Sequence, residues 1–546
     1  MDCRPQAGLN VVPVLLYTAD TAPGAGAHDD WVAIDGAAAA LADDRRKIGL
    51  GQALEAAFDA TAETWLRIGR EMGAESSAAY AHTPACAANV SDFGLMLAWS
   101  SLVDDWAAGD GTTLVVCDDP WMFRHLAARP GVTAGPAPGR LLAELRLAAR
   151  GYAARAKAAV GLFAAALKLG RTRRHAPAGK RWLLVYGHPS SNAEGNDGYF
   201  GDLMTRDTEL FRLLHVDCPP ARVRELGRDD RSFSLHAWGM PLYAATLPFR
   251  KWRPGDPARF GGERWLVHRA RCREGASGQA ALIAWQHHCQ ERWLARRRPA
   301  VVAWPWENHA WERHFVRAAK RVGARTIGYQ HSVIGRQMLN YAPASNPDGL
   351  ASIPEQVLCT GAATLERLAQ WGLPTDRLAV GGALRVPTAA AITHRADAPV
   401  FAALPFDGAI AEEMVAAMNR VPARHFVVKD HPMTPFKFSP SAHVQPTARP
   451  LAEQPAVSAV LYAATTVGLE AVVMGLPTLR FRPAGRLALD ILPAGISVPA
   501  TDGEGLAEAL SGLVAGADVA RERVFAEVDL NLWKRTLSGE LANGVC

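Results

Sequence analysis

Short apolar runs recur along this chain and alternate with stretches of helical periodicity, and this alternation restricts the fold more than any other feature. The predicted strands occupy residues 11–17, 113–117, 182–186, 300–304, 325–329, 357–359, 378–380, 400–403, 425–428, 458–461, 478–481 and 496–498. Short buried strands that alternate with helices are typical of parallel sheets covered by helices on both faces. The sequence therefore predicts an α/β protein.

At 546 residues the chain is too long for a single core, so several domains are expected. A segment rich in Gly, Pro and Ala at 131–139 and a Pro-bounded segment at 347–354 mark the boundaries. The predicted units are an N-terminal α/β domain (1–135), a basic helical linker (136–178), a middle α/β lobe (179–348) and a C-terminal α/β lobe with final helices (349–546).

Composition narrows the class of protein. Hydrophobic residues make up 49% and charged residues 21%, as in folded soluble proteins, and a net charge of +5 gives no global basic field for nucleic acid. The eight cysteines form no CxxC pair, which predicts thiols in a reducing compartment rather than a zinc site or a disulfide framework. With neither a signal peptide nor an apolar run of about 18 residues, a cytoplasmic protein is expected.

The linker is strongly basic. Residues 140–174 carry nine Lys and Arg around an apolar centre at 158–167. Basic flanks around an apolar helix suit the surface of an anionic membrane, which predicts a peripheral contact with the inner membrane. A packed inter-domain helix with solvated ends is the alternative interpretation.

Two stretches near the C-terminus predict an anion site. Lys429 and His431 follow the strand at 425–428, and Thr465 and Thr466 lie between the strand at 458–461 and a helix. Unpaired amide donors at a helix start, with hydroxyls beside them, suit a phosphate oxygen. Ligands of open α/β sheets bind at the carboxyl ends of strands, where Lys429 and His431 are also expected.

Two polar clusters follow strands of the middle lobe. Glu307 and His309 come directly after the strand at 300–304, and Gln330 and His331 end the next strand. Consecutive strand ends with carboxylate, imidazole and amide groups predict one active cleft. The alternative is that Trp304, Trp306 and Trp311 simply pack there and the carboxylates stabilise a helix start.

Four motifs together resemble bacterial surface-carbohydrate biosynthesis proteins of the GT-B type. They are Trp-Glu-Asn-His-Ala-Trp-Glu at 306–312, Gly-Tyr-Gln-His-Ser at 328–332, Lys-Asp-His-Pro at 429–432 and Thr-Thr-Val-Gly-Leu-Glu at 465–470. The last two also resemble motifs of bacterial sialyltransferases, capsule Kdo transferases and CDP-glycerol glycerophosphotransferases. The resemblance covers about 181–499 and leaves 1–135 unexplained.

The resemblance implies two Rossmann-type lobes facing across a cleft. It also implies that the C-terminal lobe binds the phosphate and ribose of a cytidine donor nucleotide. The residues that the resemblance carries over are His431, Pro432, Thr465 and Thr466. Gln330, His331, Lys429 and Glu470 are further candidates for donor binding. Asn196-Asp197-Gly198 resembles the acidic pair that carries the general base of sialyltransferases, with one acid replaced by Asn. Asp197 is therefore the first candidate base and Glu307 the second.

The predicted function is glycosyl transfer from a nucleotide sugar, with a CMP-linked donor favoured, to a surface-polysaccharide or lipid-linked acceptor. No Asp-x-Asp is present to hold a metal ion, so a metal-independent enzyme is expected. Three alternatives stay open: a CDP-alcohol phosphotransferase, a nucleotide-sugar epimerase or hydrolase, and a non-catalytic scaffold of polysaccharide assembly.

Overall fold

The computed structural model describes residues 13–24, 26–34, 41, 45–385, 392–516 and 519–539. Its strands form parallel sheets of four, seven and six strands and one two-stranded pair. The strands are β1 Val14–Tyr17, β2 Asp30–Ala33, β3 Thr113–Val116, β4 Val132–Ala134, β5 Arg181–Val185, β6 Leu210–Leu214, β7 Ser232–Ser234, β8 Val301–Pro305, β9 Arg325–Gln330, β10 Gln356–Cys359, β11 Leu378–Val380, β12 Thr393–His394, β13 Val400–Ala403, β14 Phe426–Lys429, β15 Val444–Pro446, β16 Ala456–Val457, β17 Ala459–Tyr462, β18 Thr478–Phe481 and β19 Ala500–Thr501. The predicted fold class is confirmed: two Rossmann-type lobes with an additional N-terminal α/β region.

Helices cover the faces of these sheets. They are α1 Leu50–Gly73, α2 Phe93–Ala107, α3 Pro120–Leu126, α4 Arg140–Leu169, α5 Leu203–Arg206, α6 Pro220–Leu226, α7 Pro241–Ala244, α8 Arg264–Ala270, α9 Gln279–Arg297, α10 Ala310–Arg321, α11 Ala362–Gln370, α12 Gly408–Asn419, α13 Val467–Val473, α14 Leu506–Ser511, α15 Arg521–Val524 and α16 Leu530–Ser538. A π-helical turn, Arg271–Gly275, follows α8 directly.

The N-terminal sheet has the order β2-β3-β1-β4. Helices α1 and α2 cross closely at Gly94, where a Cβ atom would lie 2.4 Å from the ring of Trp65. Trp252, Phe260 and Leu266, from beyond the predicted boundary at 135, pack into the same core. The unit is therefore completed by a later part of the chain, which a boundary read from local composition does not capture.

A buried ion cluster joins that later segment to the N-terminal unit. Arg269 has no exposed surface, and its guanidinium donates to both carboxylate oxygens of Asp92 at 2.8 and 2.7 Å and to Asp119 at 2.7 Å. Full pairing of the guanidinium offsets the cost of burying its charge.

The middle sheet has the order β11-β10-β9-β8-β5-β6-β7, and the C-terminal sheet has the order β15-β14-β13-β17-β18-β19. In both, the chain winds outward from the centre first in one direction and then in the other. Such doubly wound sheets bind ligands at the switch point, beyond the carboxyl ends of the central strands. The switch points lie between β5 and β8 in the middle lobe and between β13 and β17 in the C-terminal lobe.

Two parts of the predicted C-terminal lobe belong to the middle lobe. Strand β10 pairs with β9, and β11 pairs with β10, so these two strands, which follow residue 348, extend the middle sheet. Trp533 of α16 packs on Tyr329 and Phe200, with ring centroids 5.2 and 5.8 Å apart. Strand pairing is a long-range choice, and local pattern identifies the strands without naming their partners.

A network of ion pairs ties the three units together. Buried Glu55 of α1 pairs with Arg480 and Arg482 of the C-terminal lobe, and Arg336 of the middle lobe lies 2.9 Å from Asp59 of α1. Helix α1 thus bridges both lobes at one side of the cleft.

Candidate active site

A cavity of about 590 Å³ lies where the three units meet, and we call it the cleft cavity. Its polar wall carries His82, His215, Asp217, Glu307, His309 and His331, and Phe406 and Met433 line it from the C-terminal lobe. A volume of this size suits a small-molecule site. The middle-lobe residues of this wall follow β6, β8 and β9, so the carboxyl edge of the middle sheet forms most of it.

The loop between β8 and α10 holds a carboxylate and an imidazole together. Glu307 Oε2 accepts a hydrogen bond from His309 Nε2 at 2.8 Å. The carboxylate of Glu312 in the first turn of α10 accepts from the backbone N–H groups of Glu307 at 2.9 Å and of His309 at 2.5 Å. It also accepts from the indole of Trp304 at 2.9 Å. These hydrogen bonds at the start of α10 therefore orient the pair.

The two groups of the Glu307–His309 pair stabilise each other's charge. Burial alone would raise the pKa of Glu307, but the hydrogen bond from His309 and the charges of His309, His331 and Arg385 lower it to about 2. Burial would lower the pKa of His309, but Glu307 raises it above its ordinary value. The side chain of Glu307 is 35% exposed, so an ionised carboxylate faces the cavity while the imidazole behind it is buried.

A second carboxylate and imidazole lie on the same wall, and the sequence analysis missed them. Asp217 follows β6, and its Oδ2 lies 3.1 Å from His215 Nδ1. Burial would raise the pKa of Asp217, but His215, His236 and His82 lower it, so this carboxylate is also ionised at neutral pH. The signal available in the sequence was a His-Val-Asp run after an apolar strand.

Asp197 lies in a different environment from the one predicted for a base. It is 2% exposed, and its carboxylate accepts from the backbone N–H groups of Tyr199 at 2.9 Å and Phe200 at 3.3 Å and from the hydroxyl of Ser191 at 3.2 Å. Arg212 Nη1 lies 3.7 Å from it. A carboxylate engaged on all sides holds its loop in shape, and Tyr199, which it positions, lines the cavity. The contacts of Asp197 are those of a loop anchor, and its role as a base stays a prediction.

The structure places the two residues predicted at the end of β9 in different environments. Gln330 has no exposed surface and does not line the cavity, because its position on the strand points it into the protein. His331 lines the cavity with its Nε2 4.0 Å from Glu307 Oε1, and its ring meets Tyr199 edge-on at 5.0 Å. Burial lowers the pKa of His331 to about 4, so it is a neutral neighbour of Glu307.

The predicted anion residues lie on one edge of the C-terminal sheet but not on adjacent strands. Strand β13 separates β14, which ends at Lys429, from β17, which leads to Thr465 and Thr466. Ala403 of β13 pairs with Lys429 on one side and with Tyr462 on the other. Paired residues point to the same face of a sheet, so Lys429 lies on the face covered by α13.

His431 and Glu470 provide the polar groups of this edge. The ring of His431 meets Phe406 at 5.5 Å, and Pro432 is exposed in the turn that follows. Burial and the charge of Arg385 lower the pKa of His431. Thr466 precedes α13 without capping it and hydrogen-bonds Glu470. Burial raises the pKa of Glu470, and the charge of Arg385 offsets only part of this shift.

Arg385 connects these groups, and the sequence analysis did not single it out. Its guanidinium lies 5.3 Å from the ring centroid of Tyr199, and its charge influences Glu307 and His331 in one lobe and His431 and Glu470 in the other. The hydroxyl of Tyr329 fixes the preceding turn by donating to Gly382 O at 3.1 Å and accepting from Leu384 N–H at 3.0 Å. Arg385 is exposed, forms no ion pair with any described residue, and lines a second cavity of about 820 Å³ together with Asp197, rather than the cleft cavity itself.

Among the described residues, a single group of side chains has the arrangement of a metal site. Glu144, His268 and Cys272 bring ligand atoms within 4.8 Å of one another. None of the three lines the cleft cavity.

No protein-family model and no curated protein matches this sequence. Among solved structures, the chain is similar to the UDP-GlcNAc 2-epimerase of Methanocaldococcus jannaschii in complex with UDP-GlcNAc and UDP, at 9% identity and a TM-score of 0.40, covering 66% of this chain and 99% of that chain. It is similar to Anabaena HepE in complex with UDP-glucose, at 11% identity and a TM-score of 0.35, and the match covers 67% of this chain and 100% of that chain. It is also similar to the calicheamicin glycosyltransferase CalG4, at 13% identity and a TM-score of 0.35, and the match covers 66% of this chain and 94% of that chain. At such identities and scores, the function of this chain has to follow from its own residues.

Proposed function

We propose that this protein transfers a glycosyl group from a nucleotide-activated sugar to a hydroxyl group of an acceptor bound in the cleft cavity. One observation supports this most. The Glu307–His309 pair of the middle lobe and the polar edge of the C-terminal lobe both lie within the electrostatic reach of Arg385. An acid–base pair and an anion site at one cleft are the two elements that glycosyl transfer requires.

On the donor side, Arg385 and His431 bind the phosphate of the nucleotide, with Lys429 and the hydroxyls of Thr465 and Thr466 beside them. Transfer breaks the bond between the anomeric carbon and the phosphate oxygen, and the nucleotide leaves with the electron pair. Fixed donors aimed at that oxygen stabilise the developing charge. A CMP-linked sugar is the donor that we propose first, because the motifs at 429–432 and 465–470 resemble those of CMP-sugar enzymes.

On the acceptor side, Glu307 Oε1 is the carboxylate oxygen not bonded to His309. It orients the acceptor hydroxyl, and the Glu307–His309 pair takes up the proton as the acceptor oxygen bonds to the anomeric carbon. Paired groups of this kind contribute about 10² to 10⁴-fold to a rate. The acceptor that we propose is a surface polysaccharide or a lipid-linked glycan.

The proposal is tested with purified protein, CMP-, UDP-, GDP- and dTDP-sugars, and neutral and lipid-linked glycan acceptors. We expect nucleotide release that depends on acceptor, and a product heavier by one sugar without phosphorus. A product that retains phosphorus identifies a phosphotransferase instead. No nucleotide release from any donor contradicts the proposal.

Epimerisation of a nucleotide sugar is the second candidate, and the Asp217–His215 pair favours it. Two acid–base pairs on one cavity, Glu307–His309 and Asp217–His215, are suited to remove and return a proton at one sugar carbon. Incorporation of solvent deuterium into the recovered donor, at full rate and without acceptor, would establish this function.

We also propose that α4 docks the enzyme on an anionic membrane. No helix in the described part of the chain combines the length and apolar character needed to span a bilayer. One face of α4 packs on α7 and α9, while an apolar stripe on the other face is exposed. The stripe consists of Leu141, Leu145, Tyr152, Val160, Phe163 and Leu167, with Arg146, Arg150, Lys157 and Lys168 on its flank. Apolar residues enter the headgroup boundary and basic flanks attract anionic lipid.

The double variant Val160→Asp, Phe163→Asp is expected to lower binding to vesicles of anionic phosphatidylglycerol at least tenfold in sedimentation. The reason is that each large apolar side chain contributes roughly 1.5–3 kcal/mol when buried. Val514, which is 76% exposed in the C-terminal lobe, provides the control variant Val514→Asp. Equal binding of wild type and double variant to these vesicles contradicts the proposal.

A further inference from the structure

His82 is the contribution of the N-terminal unit to the polar wall of the cleft cavity. It is 8% exposed, and its Nδ1 is buried without a hydrogen-bond partner. Its ring meets that of His309 edge-on at 5.3 Å, and the charges of Asp217 and Glu307 both act on it. His82 therefore lies beside both carboxylate–imidazole pairs of the middle lobe.

Two side chains from later parts of the chain hold the segment that carries His82. The carboxylate of Glu274, in the π-helical turn, accepts from the backbone N–H groups of His82 and Thr83 and from the hydroxyls of Thr83 and Ser91. Arg313 of α10 donates to Ala85 O at 3.1 Å and to Asn308 O at 3.1 Å. The N-terminal segment and the Glu307 loop are thus fixed to each other.

The chemistry of this wall selects one class of ligand. Glu307 and Asp217 are ionised, and burial together with the charge of His309 lowers the pKa of His82 to about 3, so its imidazole is neutral. Carboxylates and a neutral imidazole pair well with hydroxyl groups and repel an anion. Tyr186 and Trp311, which also line the cavity, suit the apolar face of a sugar ring.

We propose that the N-terminal domain forms one wall of the acceptor subsite, and that His82 hydrogen-bonds an uncharged, polyhydroxylated acceptor between Asp217 and Glu307. This rests on the proposed function of the cleft. It gives the N-terminal domain a role in acceptor specificity, and it makes His82 a binding residue that takes no part in donor recognition.

The test compares wild type with His82→Phe and His82→Gln. Methyl glycosides of neutral hexoses are the probes, and methyl glucuronide is the anionic comparison. Binding is measured by saturation-transfer NMR, which needs no donor, and the acceptor KM and acceptor-independent donor hydrolysis are measured separately. We expect His82→Phe to weaken binding and raise the acceptor KM about tenfold, the order of one lost hydrogen bond. Donor hydrolysis stays at the wild-type rate, and His82→Gln, which keeps hydrogen-bonding groups, recovers part of the loss.

His125 provides a matched control, because it is a histidine of the same unit that stacks on Trp265 and bonds Ser100 away from the cavity. His125→Gln is expected to behave as wild type. Unchanged binding of neutral glycosides by folded His82→Phe overturns the inference, as does the absence of neutral-glycoside binding by wild type, or stronger binding of the glucuronide. Glycoside binding without any donor turnover would instead contradict only the proposed transfer reaction.

Discussion

Replacing Glu307 by Gln is expected to lower the rate of glycosyl transfer roughly 10² to 10⁴-fold, the usual contribution of a positioned acid–base group. The amide keeps the size of the side chain but cannot share the acceptor proton with His309. Since the donor is bound at the other side of the cleft, the affinity for nucleotide should stay within about threefold, well under one tenfold step of 1.4 kcal/mol. Single-turnover rates and calorimetric nucleotide titrations measure the two quantities separately.

The rate of transfer should also depend on pH, in the direction set by the raised pKa of His309. The carboxylate of Glu307 raises the pKa of His309, and the pair accepts a proton only when the imidazole is neutral. The wild-type rate should therefore rise with pH through a midpoint above the ordinary histidine value of 6.5. In Glu307→Gln the cause of the upward shift is gone, so the midpoint should move to lower pH.

Glu291 offers a matched control, because it forms a similar carboxylate–imidazole pair, 3.1 Å from His314, outside the cleft cavity. Glu291→Gln should change neither the rate nor the pH profile. If Glu307→Gln retained more than about a tenth of the wild-type rate, with the same midpoint, the pair would have no acid–base role, since such a role contributes at least about 10²-fold.

Replacing Arg385 by Gln is expected to weaken nucleotide binding by roughly 1.5–3 kcal/mol, about 10- to 150-fold, which is the range of a charge-assisted hydrogen bond. The guanidinium is exposed at the cleft without an ion-pair partner among the residues described, so the phosphate is its proposed counter-ion. The variant His431→Ala should weaken nucleotide binding by a similar free energy. If both residues contact one phosphate, the binding free energy lost in the double variant should differ from the sum of the two single losses.

Calorimetric titration with CMP, CDP and UDP measures these losses. The control is Arg395→Gln, since Arg395 is an exposed arginine of the C-terminal lobe that pairs with Asp397 at the surface. Nucleotide binding by the control should equal that of wild type. Normal affinity of Arg385→Gln for every nucleotide would remove Arg385 from the proposed donor site.

Local pattern predicted strands that are buried on both faces, such as β5, β8 and β13. It missed β2, β4, β6, β7, β12, β15 and β16. Of the missed strands, β2 begins with a charged residue and β7 has a serine on each side of Phe233. Local pattern also placed a strand at 496–498. The structure has irregular backbone there and a strand at Ala500–Thr501, because pairing with Arg480 and Phe481 of β18 decides where that strand forms. Apolar character alone does not select between neighbouring residues at a sheet edge.

The residues of the candidate site were likewise predicted only in part. Glu307, His309 and His331 were predicted together because they follow consecutive strands that are also neighbours in the sheet. Asp197 was predicted from a motif, but the structure surrounds its carboxylate with donors, and no sequence pattern shows how completely a side chain is hydrogen-bonded. Arg385 and His82 were missed because each stands alone in the sequence, without another polar residue of the site close by.

The sequence by itself determined the α/β class and the polar residues that follow the strand ends of two sheets. These follow from local physics, since burial sets the apolar period and the end of a strand sets where polar groups begin. Only the tertiary structure decided which strands pair, that β10, β11 and α16 complete the middle lobe, and that His82 and Glu307 line one cavity. His82 and Glu307, like Phe200 and Trp533, lie more than two hundred positions apart, and the stability of such contacts comes from packing that no short window of sequence contains.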